Sequence, residues 1–341
     1  MLYVTTRSHR DAYTHHRALT ADLCPDGGQF LPRQMPAFTA EDLKDMAERS
    51  FSENIAHVLN LLYRTELTGR DIELVIGKGS AGLLDLDSRT VVSRIWQAAD
   101  GTFEDTVRRL FYLIVQEPEE KLGRWFPMSV RIAMLCAIFG ELMAEGVEMP
   151  VDLAVPSMDF QLPMAAWYAR SWGLPIGVII CACNENNAPW SLLHQGELRA
   201  DDLIHTITPA CDQAVPTGLE RLIHATLGVD EVGRYLAALE AGRLYKLEPF
   251  QQEQLRSGVS VSVISRRRTE FMIPNIYRAG LWQPDLYAVM AWAALADHRA
   301  RAGETGKALI LAEENPLYCV DALARILTMP AEHLRRNLLK A

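Results

Sequence analysis

The segment that decides the fold of this chain reads VEMPVDLAVPSMDFQLPMAAWYARSWGLPIGVIICACNENN, residues 147–187. Residues 151–155 form a short apolar run, and residues 176–183 form a second run that is rich in isoleucine and valine. Between these runs, residues 164–172 carry apolar side chains at helical spacing, and a glycine and a proline end that pattern. Strand, helix and strand in this order predict a βαβ unit whose two strands are parallel and buried.

A polar segment follows each of the two predicted strands. Ligands of parallel sheets bind beyond the carboxyl ends of the strands, so we expect chemistry at residues 157–161 and 184–187. The side chains selected there as candidates for a ligand crevice are Ser157, Asp159, Asn184 and Glu185. They do not form a recognisable catalytic set, and no catalytic residue is assigned.

Composition indicates an ordinary globular protein that is large enough for two domains. The chain has 341 residues, 49% of them hydrophobic and 23% charged. Its net charge of −9 at pH 7 argues against nucleic acid or an anionic membrane surface as a partner, because both require concentrated positive charge. No apolar run approaches membrane-spanning length and no signal peptide is evident, so the cytoplasm is the expected compartment.

Cysteine and histidine usage does not suggest a metal centre. The six cysteines are spread through the chain, as is typical of reduced thiols in a cytosolic protein, and the nine histidines do not supply ligand spacing. We therefore expect no metal.

The rest of the chain predicts helices on both sides of the central unit. Thr39 with Asp42 is predicted to cap one helix, Thr68 is predicted to open another, and residues 217–220 read as a capping box. Residues 129–145 are apolar almost all round, which predicts a buried helix. Residues 308–312 predict a short buried strand, and the closing helix is expected at residues 320–327.

Several segments resemble, in collinear order, threonine synthase, a pyridoxal-phosphate enzyme of the tryptophan-synthase-β fold type. Near the N-terminus the resemblance is carried by Tyr3-Val-Thr-Thr-Arg7 and by the turn Pro25-Asp-Gly-Gly28. Residues 151–160 and 173–186 match most closely in the centre. The later matching segments are residues 208–212, 280–284 and 312–316.

The departures from that family are as informative as the matches. The family holds its cofactor lysine in a Phe-Lys-Asp context that precedes a Ser-Gly-Asp-Thr-Gly loop, and neither occurs in this sequence. The family's phosphate loop Ser-Gly-Asn-Phe-Gly corresponds to residues 157–161, where both glycines are replaced and Asp159 stands in place of Asn. The family's Thr-Ala-His-Pro turn corresponds to residues 313–316, which adds Glu314 and Asn315 to the crevice candidates.

The resemblance implies an α/β fold. It predicts a small N-terminal α+β domain at residues 1–80 and a reduced three-layer large domain with a mainly parallel sheet at residues 100–341. Residues 81–99 are predicted to be a linker that replaces a lost small domain.

The first functional hypothesis is a threonine synthase-like protein that no longer performs pyridoxal-phosphate catalysis and has a binding, scaffolding or regulatory role. No cofactor is expected, and only Lys78 is kept as an outside candidate for a cofactor lysine. One alternative is a lyase of the threonine synthase type whose missing domain comes from a partner chain. Another is an enzyme or small-molecule binder that uses the same crevice without pyridoxal phosphate. Loss of a domain would expose apolar surface, so self-association or a protein partner is expected.

Overall fold

A computed structural model describes residues 1–97, 101–280, 282–303 and 306–339. Its strands are β1 (Leu2–Thr5), β2 (Tyr13–Thr14), β3 (Phe30–Pro32), β4 (Leu83–Asp87), β5 (Thr90–Arg94), β6 (Val151–Pro156), β7 (Ile176–Cys183), β8 (Glu197–Leu198), β9 (Tyr245–Lys246), β10 (Val259–Val263) and β11 (Ala308–Ala312).

Helices make up most of the remaining structure. They are α1 (His15–Thr20), α2 (Ala40–Glu48), α3 (Phe51–Tyr63), α4 (Gly69–Ile76), α5 (Phe103–Val115), α6 (Trp125–Ala144), α7 (Gln161–Ser171), α8 (Ala188–Trp190), α9 (Gly218–Leu227), α10 (Val229–Glu240), α11 (Pro249–Arg256), α12 (Arg266–Ala279), α13 (Leu286–Ala302), α14 (Val320–Leu327) and α15 (Ala331–Leu338).

The central sheet has six strands in the order β10-β7-β6-β11-β5-β4. All neighbouring pairs are parallel except β4 with β5, which is antiparallel. The α/β fold with a mainly parallel sheet is therefore as predicted. Because the parallel strands run the same way, the ends of β5, β6, β7 and β11 lie at one edge, where a ligand of such a sheet binds.

The predicted βαβ unit is confirmed. Strands β6 and β7 pair in parallel with Leu153 opposite Ile179, and α7 connects them and packs on both. Both strands are almost entirely buried, which explains why they read as continuous apolar runs rather than as alternating ones.

The N-terminal segment is built from a three-stranded antiparallel sheet, β2-β1-β3, and the helices α2 to α4. Capping boxes start two of these helices as predicted, at Thr39 with Asp42 and at Thr68 with Asp71. Helix α3 packs along α6, and the phenolic hydroxyl of Tyr63 donates a hydrogen bond to the Ser129 hydroxyl between them. The segment therefore shares a continuous hydrophobic core with the rest of the molecule.

Helix α6 is the buried helix that the apolar residues 129–145 predict. It is also the one helix of the described chain that is long and apolar enough to cross a membrane, with a mean hydropathy of 1.5, so the expectation that no run approaches that length is wrong. Its apolar window is 78% buried inside the protein. That burial is what a core helix requires.

Two other expectations need correction. Residues 83–94 of the predicted linker form β4 and β5, because their short apolar alternation pairs at the edge of the central sheet. The chain also does not close with α14, since a further helix, α15, follows Pro330 and buries Leu334. Residues 98 and 99 of the predicted linker and residue 100 of the predicted large domain lie outside the described residues. The domain boundaries and the loss of a small domain stay predictions.

Candidate functional site

The loop after β6 has a backbone conformation that L-residues rarely adopt. Met158, Asp159 and Phe160 have φ values of 38°, 57° and 61°. Each residue in the left-handed region costs roughly 1–2 kcal/mol when it carries a side chain. Three such residues in succession persist only because their surroundings hold them there. Close contact contributes to this, since a Cβ added to Gly218 would lie 2.6 Å from the carbonyl oxygen of Phe160.

Asp159 is held by Thr217 and does not face a free ligand. Its carboxylate accepts a hydrogen bond from the Thr217 backbone N–H at 2.6 Å and another, very short, from the Thr217 hydroxyl. The predicted capping box at residues 217–220 is therefore wrong, because the Thr217 side chain makes no cap hydrogen bond to α9. Glu220, the other residue of the predicted capping box, instead forms an ion pair with Arg7 at 3.0 Å.

Ser157 lies beneath a short turn that covers the same loop. Its side chain is almost fully buried, and its hydroxyl and the backbone N–H of Met158 both contact the thiol of Cys211. Burial raises the pKa of this thiol to about 11, so it is a neutral group at physiological pH. The Cys211 thiol thus lies against the backbone N–H groups of the loop that follows β6.

Asn184 belongs to a buried hydrogen-bond network that fixes residues 204–212 over the end of β7. Its amide donates to the Asp212 carboxylate at 2.7 Å and to the Thr206 hydroxyl at 2.9 Å, and its carbonyl oxygen accepts from Asn186. Asp212 also accepts from the Thr206 backbone N–H at 2.8 Å. A network satisfied in this way stabilises a loop and leaves Asn184 no free group for a ligand.

Glu185 is used by a neighbouring helix. One of its carboxylate oxygens accepts a hydrogen bond of 2.7 Å from the backbone N–H of Arg266, the first residue of α12. Its other oxygen is buried and has no partner among the described residues. An acidic group at a helix N-terminus is favourable, so the contact serves the helix.

The end of β11 is different, because charge accumulates there. Glu313 forms a two-pronged ion pair with Arg131 of α6, with N–O distances of 2.8 and 3.1 Å, and both side chains are close to fully buried. The guanidinium of Arg131 also lies 3.9 Å from the ring centre of Phe103. Sequence reasoning missed Arg131, although a single cation within the apolar residues 125–140 is a signal for a buried anionic partner.

Two further carboxyl groups at this end have strongly raised pKa values. Burial, together with the charges of Glu313 and Asp285, raises the pKa of Glu314 to about 7. Burial also raises the pKa of Asp285 to about 7, although hydrogen bonds from the backbone N–H groups of Ala288 and Tyr287 act to lower it. Asp285 caps α13 through one oxygen, and its other oxygen is buried with no partner among the described residues. Such a pair can hold and release a proton near neutral pH.

Asn315 lies beside this carboxyl pair and borders a cavity of about 290 Å³ beyond the ends of β5 and β11. Its side-chain oxygen accepts a hydrogen bond of 2.9 Å from the Leu317 backbone N–H. Arg94, Trp96, Trp282 and Gln283 also line the cavity, and sequence reasoning selected none of them.

The structure therefore separates the six candidate residues into two groups. Ser157, Asp159, Asn184 and Glu185 serve internal contacts at the ends of β6 and β7. Glu314 and Asn315 lie together at the end of β11, where raised pKa values and a cavity coincide. The described part of the chain contains no group of three or more His, Cys, Asp or Glu side chains that could hold a metal ion.

Comparison with known proteins gives three related findings. Residues 2–79 match the family model for the threonine synthase N terminus. The protein threonine synthase-like 1 from Homo sapiens is 28% identical over 171 residues, which is 49% of this chain and 22% of that protein. The chain therefore matches only about a fifth of the length of this relative.

Solved structures extend the similarity to the whole fold. Pyridoxal-phosphate-bound threonine synthase from Brucella melitensis superimposes with a TM-score of 0.83 at 18% identity, over 96% of this chain and 91% of that one. Threonine synthase from yeast gives a TM-score of 0.83 at 16% identity, over 96% and 90% of the two chains. Residues 2–79 thus match the N terminus of threonine synthase, and the chain as a whole has the fold of these solved threonine synthases.

Proposed function

We propose that this chain is a threonine synthase-like protein that does not carry pyridoxal phosphate on a lysine and that has a binding, scaffolding or regulatory role. The threonine synthase from Brucella melitensis binds pyridoxal phosphate. That cofactor requires an amine that is shielded from water beside the cofactor ring and a cradle for a dianionic phosphate. The residues present here fit neither requirement.

The placement of the lysines is the observation that carries this proposal. Lys44, Lys78, Lys121 and Lys246 are exposed to solvent. Lys307 pairs with Asp85 at 3.2 Å and precedes β11, so it lies at the amino end of that strand, away from the crevice. Lys340 lies outside the described residues. None of the five described lysines is a shielded amine at the carboxyl ends of the strands.

The loop after β6 is equally unsuited to a phosphate. In phosphate-binding loops, backbone N–H groups converge on the anion. Here the Met158 N–H contacts the Cys211 thiol, and the Asp159 carboxylate adds a negative charge that would repel a dianion. At the end of β11, Glu314 and Asp285 would add further negative charge once ionised. These contacts support the proposal that the crevice does not bind pyridoxal phosphate.

The test is a trapping experiment on the full chain. Purified protein is incubated with pyridoxal phosphate, reduced with borohydride and analysed by mass spectrometry, with the yeast threonine synthase treated in parallel as the positive control. We expect a lysine adduct on the control and no stoichiometric adduct on this chain. A stoichiometric adduct on any of its lysines would overturn the proposal and favour a lyase.

Self-association is part of the same proposal. Leu74 of α4 and Tyr112 of α5 are 79% and 69% exposed and border the same surface groove. Apolar side chains exposed in this way are often covered by a partner, most simply in a symmetric dimer. Sedimentation at micromolar concentration should give a mass of two chains.

We also propose a cytoplasmic location, which is supported by six free cysteine thiols.

A further inference from the structure

A groove near the start of the chain, which we call the N-terminal groove, combines exposed apolar side chains with exposed arginines. It is lined by residues 33–38 on one side and has a volume of about 800 Å³. His57 and Leu61 of α3 and the C-cap Arg64 also line it, and their spacing places them on one face of that helix. Leu61 is 41% exposed, and Leu2, which also lines the groove, is 50% exposed. The apolar part of the N-terminal groove is therefore accessible to a partner.

Two arginines of the N-terminal groove have no counter-charge. Arg33 and Arg64 are both exposed, and no carboxylate of the described chain lies within ion-pair distance of either guanidinium. The one carboxylate in the lining, Asp42, caps α2 and accepts a hydrogen bond from the Thr39 backbone N–H at 2.7 Å. The lining thus carries more positive than negative charge, although the whole chain has a net charge of −9. A surface of this kind attracts a partner of opposite charge.

A second surface of the same chain has the matching character. Residues 199–205, which we call the acidic segment, are all exposed and belong to no helix or strand. Two carboxylates and one arginine give the segment a net negative charge, and Asp201 and Asp202 have no ion-pair partner among the described residues. The next two side chains, Leu203 and Ile204, are apolar and are 44% and 49% exposed. Negative charge and apolar surface are therefore adjacent here, as positive charge and apolar surface are in the N-terminal groove.

The end of the acidic segment that carries Ile204 is already fixed in the single chain. The Ile204 N–H donates to the Asn186 side-chain oxygen at 2.9 Å, and the Ile204 carbonyl oxygen accepts from the Asn186 amide at 2.8 Å. Asn186 also donates to Asn184 and Asp212 within the buried network described above. A segment that is ordered before it binds loses less conformational entropy on binding than a free peptide does.

We propose that the acidic segment of one copy of this chain docks in the N-terminal groove of a second copy. Asp201 and Asp202 pair with the two groove arginines, and the two apolar side chains of the segment cover the apolar lining. A second copy is the occupant because one chain carries both the groove and the matching segment. A two-fold axis lets each copy supply a segment and receive one, as in a symmetric dimer. The inference rests on the proposed self-association and deepens it by naming the surfaces that meet.

The test is sedimentation of the full chain at micromolar concentration with two charge-reversed variants. The groove variant carries Arg33→Glu and Arg64→Glu, and the segment variant carries Asp201→Arg and Asp202→Arg. Each variant alone should associate about tenfold or more weakly than the unmodified chain, because like charges then face each other. An equimolar mixture of the two variants should restore the dimer, since each groove then meets a segment of opposite charge.

Two further variants separate charge from apolar contact. Leu203→Ser with Ile204→Ser should weaken association, because the apolar area that the contact buries is lost. Arg267→Glu with Arg278→Glu makes the same charge change as the groove variant at exposed positions on α12, and it should associate like the unmodified chain. Raising the ionic strength should weaken the unmodified dimer, since exposed charges are screened by salt.

The inference is overturned by any of three results. A monomeric unmodified chain would leave the groove for a different protein and would also remove the proposed self-association. A dimer that both charge-reversed variants keep and that Leu74→Glu dissociates would assign self-association to the surface bordered by Leu74 and Tyr112. Loss of the dimer in each variant without restoration in the mixture would mean that the two surfaces do not meet. The trapping experiment with pyridoxal phosphate does not depend on any of these results.

Discussion

The loops that follow β6 and β11 lie at the same edge of one parallel sheet. They differ in how far the chain itself supplies hydrogen-bond partners for their polar groups. After β6, Asp159 accepts hydrogen bonds from Thr217, and Cys211 covers the backbone N–H of Met158. After β11, Glu314 and Asp285 are carboxyl groups with pKa values of about 7. The difference teaches that the chain closes one half of its crevice with its own residues. Ligand chemistry is therefore to be sought in the other half.

The largest expected effect comes from breaking the ion pair that anchors the β11 end. We expect Arg131→Met to lower the free energy of unfolding by about 3–5 kcal/mol, because it leaves Glu313 buried beside two other carboxyl groups without a counter-charge. Urea unfolding at neutral pH measures this. The control Arg70→Met, on the surface, should change stability by less than about 0.5 kcal/mol.

A second substitution separates lost charge pairing from lost packing. Adding Glu313→Gln to Arg131→Met removes the unpaired charge and should recover part of the stability. A loss below about 1 kcal/mol for Arg131→Met alone would mean that the β11 end does not depend on this pair.

The pH dependence of stability tests the carboxyl groups that follow β11. The folded-state pKa of Glu314 is raised from 4.5 to about 7. The folded chain therefore retains a proton that the unfolded chain releases, and this group's contribution to stability falls as pH rises from about 4.5 to about 7. Glu314→Gln should raise the free energy of unfolding above pH 7 by about 1–2 kcal/mol, a value reduced for the partial exposure of the side chain.

Urea midpoints measured across this pH range check that expectation. Below about pH 4 the variant and the unmodified chain should agree, since the carboxyl group is then neutral in both states. Glu253→Gln, an exposed position on α11, serves as the matched control. A gain that is equal at all pH values would contradict the assignment.

At the closed end, the contact between Thr217 and Asp159 should be worth less than the buried ion pair. Thr217→Val keeps the shape of the side chain and removes the hydroxyl that donates to the carboxylate. We expect a loss of about 1.5–3 kcal/mol, the usual value for a hydrogen bond to a charged group. Thr226→Val in α9 removes a hydroxyl that donates only to the Leu222 carbonyl oxygen, and it should cost less. Equal losses of stability in the two variants would show that the Asp159 carboxylate does not strengthen the hydrogen bond from Thr217.

The smallest effect is expected at Asn315. Its side-chain oxygen accepts from the Leu317 backbone N–H, so Asn315→Ala should cost about 0.5–1 kcal/mol in thermal unfolding. Asn315→Ser can keep this contact and should cost less. A larger loss would indicate that Asn315 supports the carboxyl pair as well as the turn.

Local patterns predicted those parts of the fold whose causes are local. The βαβ unit follows from apolar runs and turn residues in one stretch, and the Thr39 and Thr68 caps follow from partners three positions away. The same spacing misled at Thr217, because its hydroxyl and the Glu220 carboxylate bind groups 58 and 214 positions away. A short motif carries no information about partners that only tertiary structure brings near.

The candidate site was predictable to a similar extent. The resemblance to a family turn selected Glu314 and Asn315, and position after a parallel strand selected Asn184; the structure places all three at the carboxyl edge of the sheet, which is a general feature of the fold. Neither argument could show that the side-chain groups of Asn184 are hydrogen-bonded to Thr206 and Asp212, which lie more than twenty positions away. Arg94 and Trp282 belong to separate segments, and nothing in the sequence indicates that they border one cavity.

The edge strand β4 limits how copies of this chain can assemble. Its pairing with β5 shifts register between Asp85 and Asp87, and both of these acidic residues are exposed. Irregular pairing and outward-facing charge at an outermost strand discourage a foreign strand from extending the sheet. Assembly of this protein should therefore not proceed by adding a strand of another copy at the β4 edge.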